Sequence, residues 1–220
     1  MSKKRNKNKR KKQIKIRHAK KLNILKKNTT SVLNELGYEV THQPVDDKDV
    51  RNLPNDVQDQ MDDLYDRVQV RPEGTIEELQ ELTLKYPHIP QFFNYLYTAY
   101  AKSGQETKAV EIMKKNYEAN PSYLFAKLNY SDYLVESGEL EKAGGIYNEK
   151  FDLHELYPER RKFHTTEVIS FHGVIGYYHA VMGRYEKAKH CFRVLKALSP
   201  DHGYTMRLED KLKMLGILII

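Results

Sequence analysis

A short frame recurs through the second half of this chain, and the recurrence constrains the fold more than any single motif. Gly104, Ala109, Met113 and Pro121 stand at the same internal spacings as Gly183, Ala188, Phe192 and Pro200, and Gly138, Ala143 and Tyr147 repeat the first three places. Gly104 and Gly138 are 34 residues apart. Gly138 and Gly183 are 45 apart, so 11 residues have been added, most simply in the connection over 156–166. Around each glycine the apolar residues fall at helical spacing: Ile169, Val174, Ile175, Tyr178 and Met182 before Gly183, then Tyr185, Ala188, Phe192, Leu195 and Leu198 after it. The unit is two amphipathic helices joined at a glycine free to adopt positive φ, with a small alanine where the helices approach and a proline as the stop.

A helix-turn-helix unit of this period, with Gly, Ala and a bulky apolar residue at these places, resembles the tetratricopeptide repeat (TPR). The resemblance covers residues 75–215, roughly two-thirds of the chain. It implies an all-α fold, a right-handed superhelical TPR-like solenoid of three to four helical pairs. Residues 1–36 form a basic tail, disordered to partly helical, and 37–55 a linker in which Tyr38–His42 has extended character. The solenoid takes 56–215: a degenerate pair over 56–87, repeats over 90–121, 124–156 and 169–200, and a cap helix over 203–215. An apolar tail, 216–220, is expected to pack on the cap, with a docking or dimer contact as the sharper alternative.

Periodicity fills in the elements. A helix over 56–68 carries Val57, Met61, Leu64, Tyr65 and Val68 on one face, and its five aspartates lack the glycine-turn spacing of a calcium loop. Thr75 and Glu78 have capping-box spacing for the next helix. The first clear repeat buries Phe93, Leu96, Tyr97 and Tyr100 on one helix and Ala109, Val110, Met113 and Tyr117 on the other. Gly144 and Gly145 weaken the second helix of the next repeat by roughly 1 kcal/mol each. Tyr204, Leu208, Leu212 and Leu215 define the cap helix.

In a TPR array the first helix of each pair lines a concave groove that takes a protein or peptide. The resemblance places Gln91, Asn94, Thr98, Phe125, Leu128, Asn129, Asp132, Gly173 and Tyr177 there. The carboxylate-clamp subclass, which grips acidic chaperone C-termini, uses two Asn, two Lys and an Arg at points that here read Asn94, Thr98, Asn129, Ser170 and Val174. Only Asn129 agrees, so that specificity does not carry over, and the groove suits a helix or extended peptide with an apolar face.

Charge divides the chain. Lys3, Lys4, Arg5, Lys7, Lys9, Arg10, Lys11, Lys12, Lys15, Arg17, Lys20 and Lys21, with Lys26 and Lys27, give 14 positive charges before the first acid, Glu35. Subtracting 14 from the whole-chain +7 leaves −7 for the remainder. Such density gives sequence-independent affinity for the phosphates of RNA, DNA or a ribosome. No aromatic is interleaved before Leu36, so base stacking is not expected. An anionic membrane surface and a merely solvated tail are the alternatives. Propensity admits a helix over 14–36. No apolar run follows the basic residues as in a secretory signal, and none reaches the ~20 residues of a membrane span. The expected compartment is the cytoplasm, or the nucleus in a eukaryote.

Little in the sequence suggests catalysis or a cofactor. The single Cys191 stands beside Phe192 on an apolar face, as a buried thiol does. Phosphate loops, nucleophile elbows and HExxH are lacking. His164, His172 and His179 form the one conceivable metal-binding or enzymatic centre, and packing is the plainer reading of them. The expectation is a non-catalytic scaffold or adaptor, neither enzyme nor metalloprotein.

Overall fold

A computed structural model describes residues 32–43 and 47–217, and among these the chain is almost entirely helical. The basic residues 3–27, and with them most of the helix expected over 14–36, lie outside the described residues, as do 218–220.

After a helical stretch at 32–34 come a strand, β1 (Glu39–Thr41), and a single turn, α1 (Lys48–Arg51), which Asp47 caps by accepting from the Asp49 and Val50 amides. Next come α2 (Asn55–Val70), a 3-10 turn (Pro72–Thr75) and α3 (Ile76–Lys85). The capping box expected at Thr75 does not form. Its hydroxyl donates to the Pro72 carbonyl at 2.7 Å inside the 3-10 turn, and the Glu78 carboxylate turns to Arg67 at 2.9 Å and Gln60 at 2.7 Å. A local hydroxyl-to-backbone bond has outcompeted the cap.

Three antiparallel connections follow a common rule. α4 (Pro90–Lys102) passes to α5 (Glu106–Ala119), α6 (Leu124–Glu136) to α7 (Leu140–Gly145), and α9 (Thr165–Val181) to α10 (Tyr185–Leu198). Gly104, Gly138 and Gly183 stand at the turns with φ of 69°, 79° and 69°. The amides of Gln105, Glu139 and Arg184 reach back to Tyr100, Leu134 and His179 carbonyls at 2.8–2.9 Å. That six-residue bond across a left-handed residue is the Schellman closure, which a side chain at the glycine would strain. Beyond the turn, Ala109, Ala143 and Ala188 are 4%, 0% and 0% exposed. Ala188→Leu is therefore expected to overpack the crossing of α9 and α10 and cost about 1–3 kcal/mol. A thermal melt at the wild-type midpoint would count against close approach there.

The weak second pair is shorter than its neighbours. α7 spans six residues, and Asn148 and Glu149 then adopt positive φ of 48° and 60°, although Ile146 and Tyr147 still reach the core. A turn, α8 (Leu153–Leu156), and a strand, β2 (Lys162–His164), occupy the inserted stretch before α9, and α11 (Gly203–Met214) closes the described fold. The apolar residues form two clusters, one from α2 to α5 and a larger one from α6 to α11. α9 is buried on nearly all sides among α6, α10 and α11.

The stretch expected to be extended, 38–42, carries β1, which pairs in parallel with β2 in the register Val40 to Phe163; Leu36 and Tyr38 enter the larger cluster, the Tyr38 ring meeting that of Phe163 edge-on at 4.9 Å. Tyr65, Met182, Tyr185 and Leu215, assigned to apolar faces, are 56%, 36%, 39% and 38% exposed. The last three stand at helix ends, where the facing layer stops, and Tyr65 covers Tyr95 from outside at 5.9 Å. No helix among the described residues is long and apolar enough to cross a membrane.

Candidate partner groove and histidine cleft

The surface expected to receive a partner is built by α4, α6 and α9. Asn94 and Asn129 lie on adjacent helices and join through an Nδ2 to Oδ1 hydrogen bond of 2.9 Å. Thr98 donates to the Asn94 carbonyl at 2.9 Å, so its hydroxyl is already engaged by its own helix. Phe125 is half-buried beside Tyr123. Leu128, in contrast, is 1% exposed; the expectation that it faces the groove is corrected, because its side chain enters the larger apolar cluster.

The far end of the groove is filled by α11. Arg207 donates one guanidinium nitrogen to both Asp132 oxygens at 2.8 Å, bonds Glu136 with the other, and lies 3.9 Å above the Tyr177 ring. A charge-assisted pair over an aromatic face is among the stronger polar contacts available to a half-buried arginine. Tyr204 packs onto Gly173 so closely that a Cβ there would sit 2.4 Å from the Tyr204 ring, which is why this helix carries glycine at that place. Asp132, Gly173 and Tyr177 are thus part of an internal contact. At the opposite end Gln91 donates to Asp47 at 2.7 Å. Asn94, Asn129 and Phe125 remain the half-exposed centre of the groove.

A second concavity, of about 430 Å³, opens between α8, α9 and α10. Its walls hold His172, His179, His190 and Cys191, with Asp152, Glu155, Glu149 and Glu186 around them. His172 and His179 are only 4% and 2% exposed. Burial holds them neutral, pushing the His172 imidazole down to about 3, with His190 adding to the effect, and His179 down to about 4, with Lys187 and Arg184 adding. Tyr38 makes a 3.3 Å hydrogen bond with His172 Nε2, and the Nδ1 atoms of both histidines are buried with no hydrogen-bond partner. Burial also lifts the Cys191 thiol to about 12, so it is a protonated core thiol.

The histidine centre suggested by the sequence is only partly assembled. His164 is the N-cap of α9: its ring accepts from the Thr166 amide, and Glu167 accepts from the His164 amide at 2.8 Å. The residue that joins His172 is His190, at 6.2 Å between rings. Among the described residues no group of three or more His, Cys, Asp and Glu could hold a metal ion. Sequence reading missed His190, although Glu186 four residues before it was legible as a pair on one helix face. It also missed Arg207 and Tyr204, whose roles depend on where α11 docks. No protein-family model matches the chain, and no curated protein matches it.

Proposed function

We propose that the protein is a non-catalytic, TPR-like interaction scaffold that holds a protein or peptide in the groove centred on Asn94, Asn129 and Phe125, with the basic tail as a tether to RNA, DNA or ribosomes. The observation that carries this reading is the threefold recurrence of one turn, glycine closure included, followed by a fully packed alanine. The Asn94 to Asn129 pair supports the choice of surface: two side-chain amides on neighbouring helices retain unused donors and acceptors that suit a peptide backbone. The Arg207 bridge closes one end, so the partner segment is short and enters from the α4 side.

Affinity purification with full-length and tail-deleted protein, each with and without nuclease, tests both halves. A groove partner survives nuclease and tail deletion. Asn129→Ala should weaken its binding about fivefold, the worth of roughly one hydrogen bond, with unchanged helical circular dichroism. Tyr177→Ala, which removes the support beneath Arg207, should weaken it comparably. A partner set recovered equally by both variants would refute the groove.

A further inference from the structure

We propose that the cleft between α8, α9 and α10 binds a linear diamine or polyamine stretched along α9, with one ammonium at the His172 end beside Asp152 and another at the His179 end beside Glu149. The cleft encloses about 430 Å³, and among its described lining residues four carboxylates, Glu149, Asp152, Glu155 and Glu186, stand against one lysine, Lys187. The surface pairs that engage two of them, Glu149 with Arg184 at 4.0 Å and Glu186 with Lys189 at 2.9 Å, hold their charge weakly. A concavity of one dominant sign concentrates ions of the other, so its occupant is a cation, and an organic cation brings N–H donors.

The wall supplies acceptors for such donors. His172 and His179 line the cleft, are 4% and 2% exposed, and each has a buried Nδ1 with no hydrogen-bond partner among the described residues. Buried polar atoms in a native fold are nearly always satisfied, so two unpartnered ones lining a single cavity point to what fills it. Burial keeps both rings neutral, at about 3 and about 4, and a neutral imidazole keeps one lone pair for an incoming N–H. At His172 the Tyr38 bond uses Nε2, which leaves Nδ1 to accept when Nε2 carries the proton.

The spacing selects a molecule with two ends. Seven residues, almost two helical turns, separate the histidines, which therefore share a face of α9 about 10 Å apart. The charges divide in the same way. Asp152 acts on the Cys191 thiol and on the Tyr38 hydroxyl that meets His172, whereas Glu149 reaches Arg184, whose charge acts on His179. Between the ends the wall is apolar: a Cβ at Gly176, midway between the histidines on α9, would stand 2.8 Å from the Cys191 Cβ, and Phe151 lies edge-on to His179 at 5.0 Å. Methylenes suit that middle and ammonium groups suit the ends. The Arg184 guanidinium, over the Phe151 and Tyr178 rings at 5.7 and 5.8 Å, shows that the His179 end already accommodates a cation.

Isothermal titration of the full chain with 1,8-diaminooctane, whose extended chain spans the two histidines, tests this against octylamine, 1,3-diaminopropane and N-acetyl-lysine amide. One saturating equivalent of the long diamine is expected, bound about 10-fold or more tighter than the other three, which satisfy at most one end. Asp152→Asn, which retains a capping oxygen for α8, and Glu149→Gln should each weaken it about 10-fold with unchanged helicity, and Asp59→Asn on the exposed face of α2 should not. The ring-nitrogen resonances of His172 and His179 should move at saturation while those of His88 stay. Equal affinity for octylamine, no saturable binding up to about 1 mM, or equal losses from Asp152→Asn and Asp59→Asn overturns the proposal. Lysine amide bound as tightly as the long diamine would also overturn it, by showing a pocket for a single ammonium.

Discussion

Acidification from pH 6.5 to about 4.5 is expected to destabilise the fold by about 4–5 kcal/mol, at a pH where most carboxylates are still ionised. His172 and His179 are the cause. Both imidazoles are neutral in the fold, held down to about 3 and about 4, and regain an ordinary value near 6.5 when the chain unfolds. Between those values the unfolded state binds the extra protons, so stability rises with pH there and is lost as pH falls. Each histidine contributes up to about 1.4 kcal/mol per pH unit, and two acting together up to about 2.7. From pH 6.5 to 4.5 the two together remove about 4–5 kcal/mol, close to the lower end of an ordinary domain's stability. Burial is the main cause, and charged neighbours add to it: His190 beside His172, and Lys187 and Arg184 beside His179. Urea unfolding at pH 7.5, 5.5 and 4.5 measures the slope. The double variant His172→Gln, His179→Gln is expected to be less stable at pH 7.5 yet nearly flat across this range. A slope equal to that of the wild type would show that these imidazoles are not responsible.

Deleting residues 1–27 is expected to abolish polyanion binding while sparing the fold. The truncation removes 14 positive charges and turns a +7 protein into a −7 one, and leaves in place every described residue of the two apolar clusters. If six phosphates of a duplex are neutralised, the log-log slope of affinity against salt is about −5, a loss of roughly a thousandfold between 50 and 200 mM. The absence of aromatic residues before Leu36 predicts indifference to base sequence. Fluorescence anisotropy with labelled RNA and DNA, across that salt range, separates the outcomes. Equal binding by intact and truncated protein, or a slope near zero, would remove the tether and leave a tail that only solubilises.

The helical pairs were legible because their information is local. A glycine at a Schellman turn, a small residue five places later and apolar residues at helical spacing each act within a few turns of chain, and Gly104, Gly138 and Gly183 all adopt the φ their spacing implies. Gly144 and Gly145 marked α7 as the weakened helix for the same reason, but not that it ends at Gly145. Less could be read wherever two distant segments decide together. Thr75 has cap spacing, yet the 3-10 turn before it claims the hydroxyl. Leu128 was placed in the groove from repeat spacing, whereas it is buried in the larger apolar cluster. Arg207 has no local mark distinguishing it from other surface arginines; only the docking of α11 sets it over Tyr177 and Asp132. His172 and His179 share a face in sequence, but their partner His190 comes from another helix, and Tyr38 from more than a hundred residues upstream.

The pairing of β1 with β2 also sets a timetable for biosynthesis. Stacked helical pairs ordinarily fold as they emerge, each on its neighbour, but Val40 must wait for Phe163, 123 residues later. At about 5–20 residues per second that is roughly 6–25 s during which the strand has no partner and Leu36 and Tyr38 have no core to enter. The register of β1 on β2 is therefore set only after the two helical pairs between them, α4 with α5 and α6 with α7, have been made.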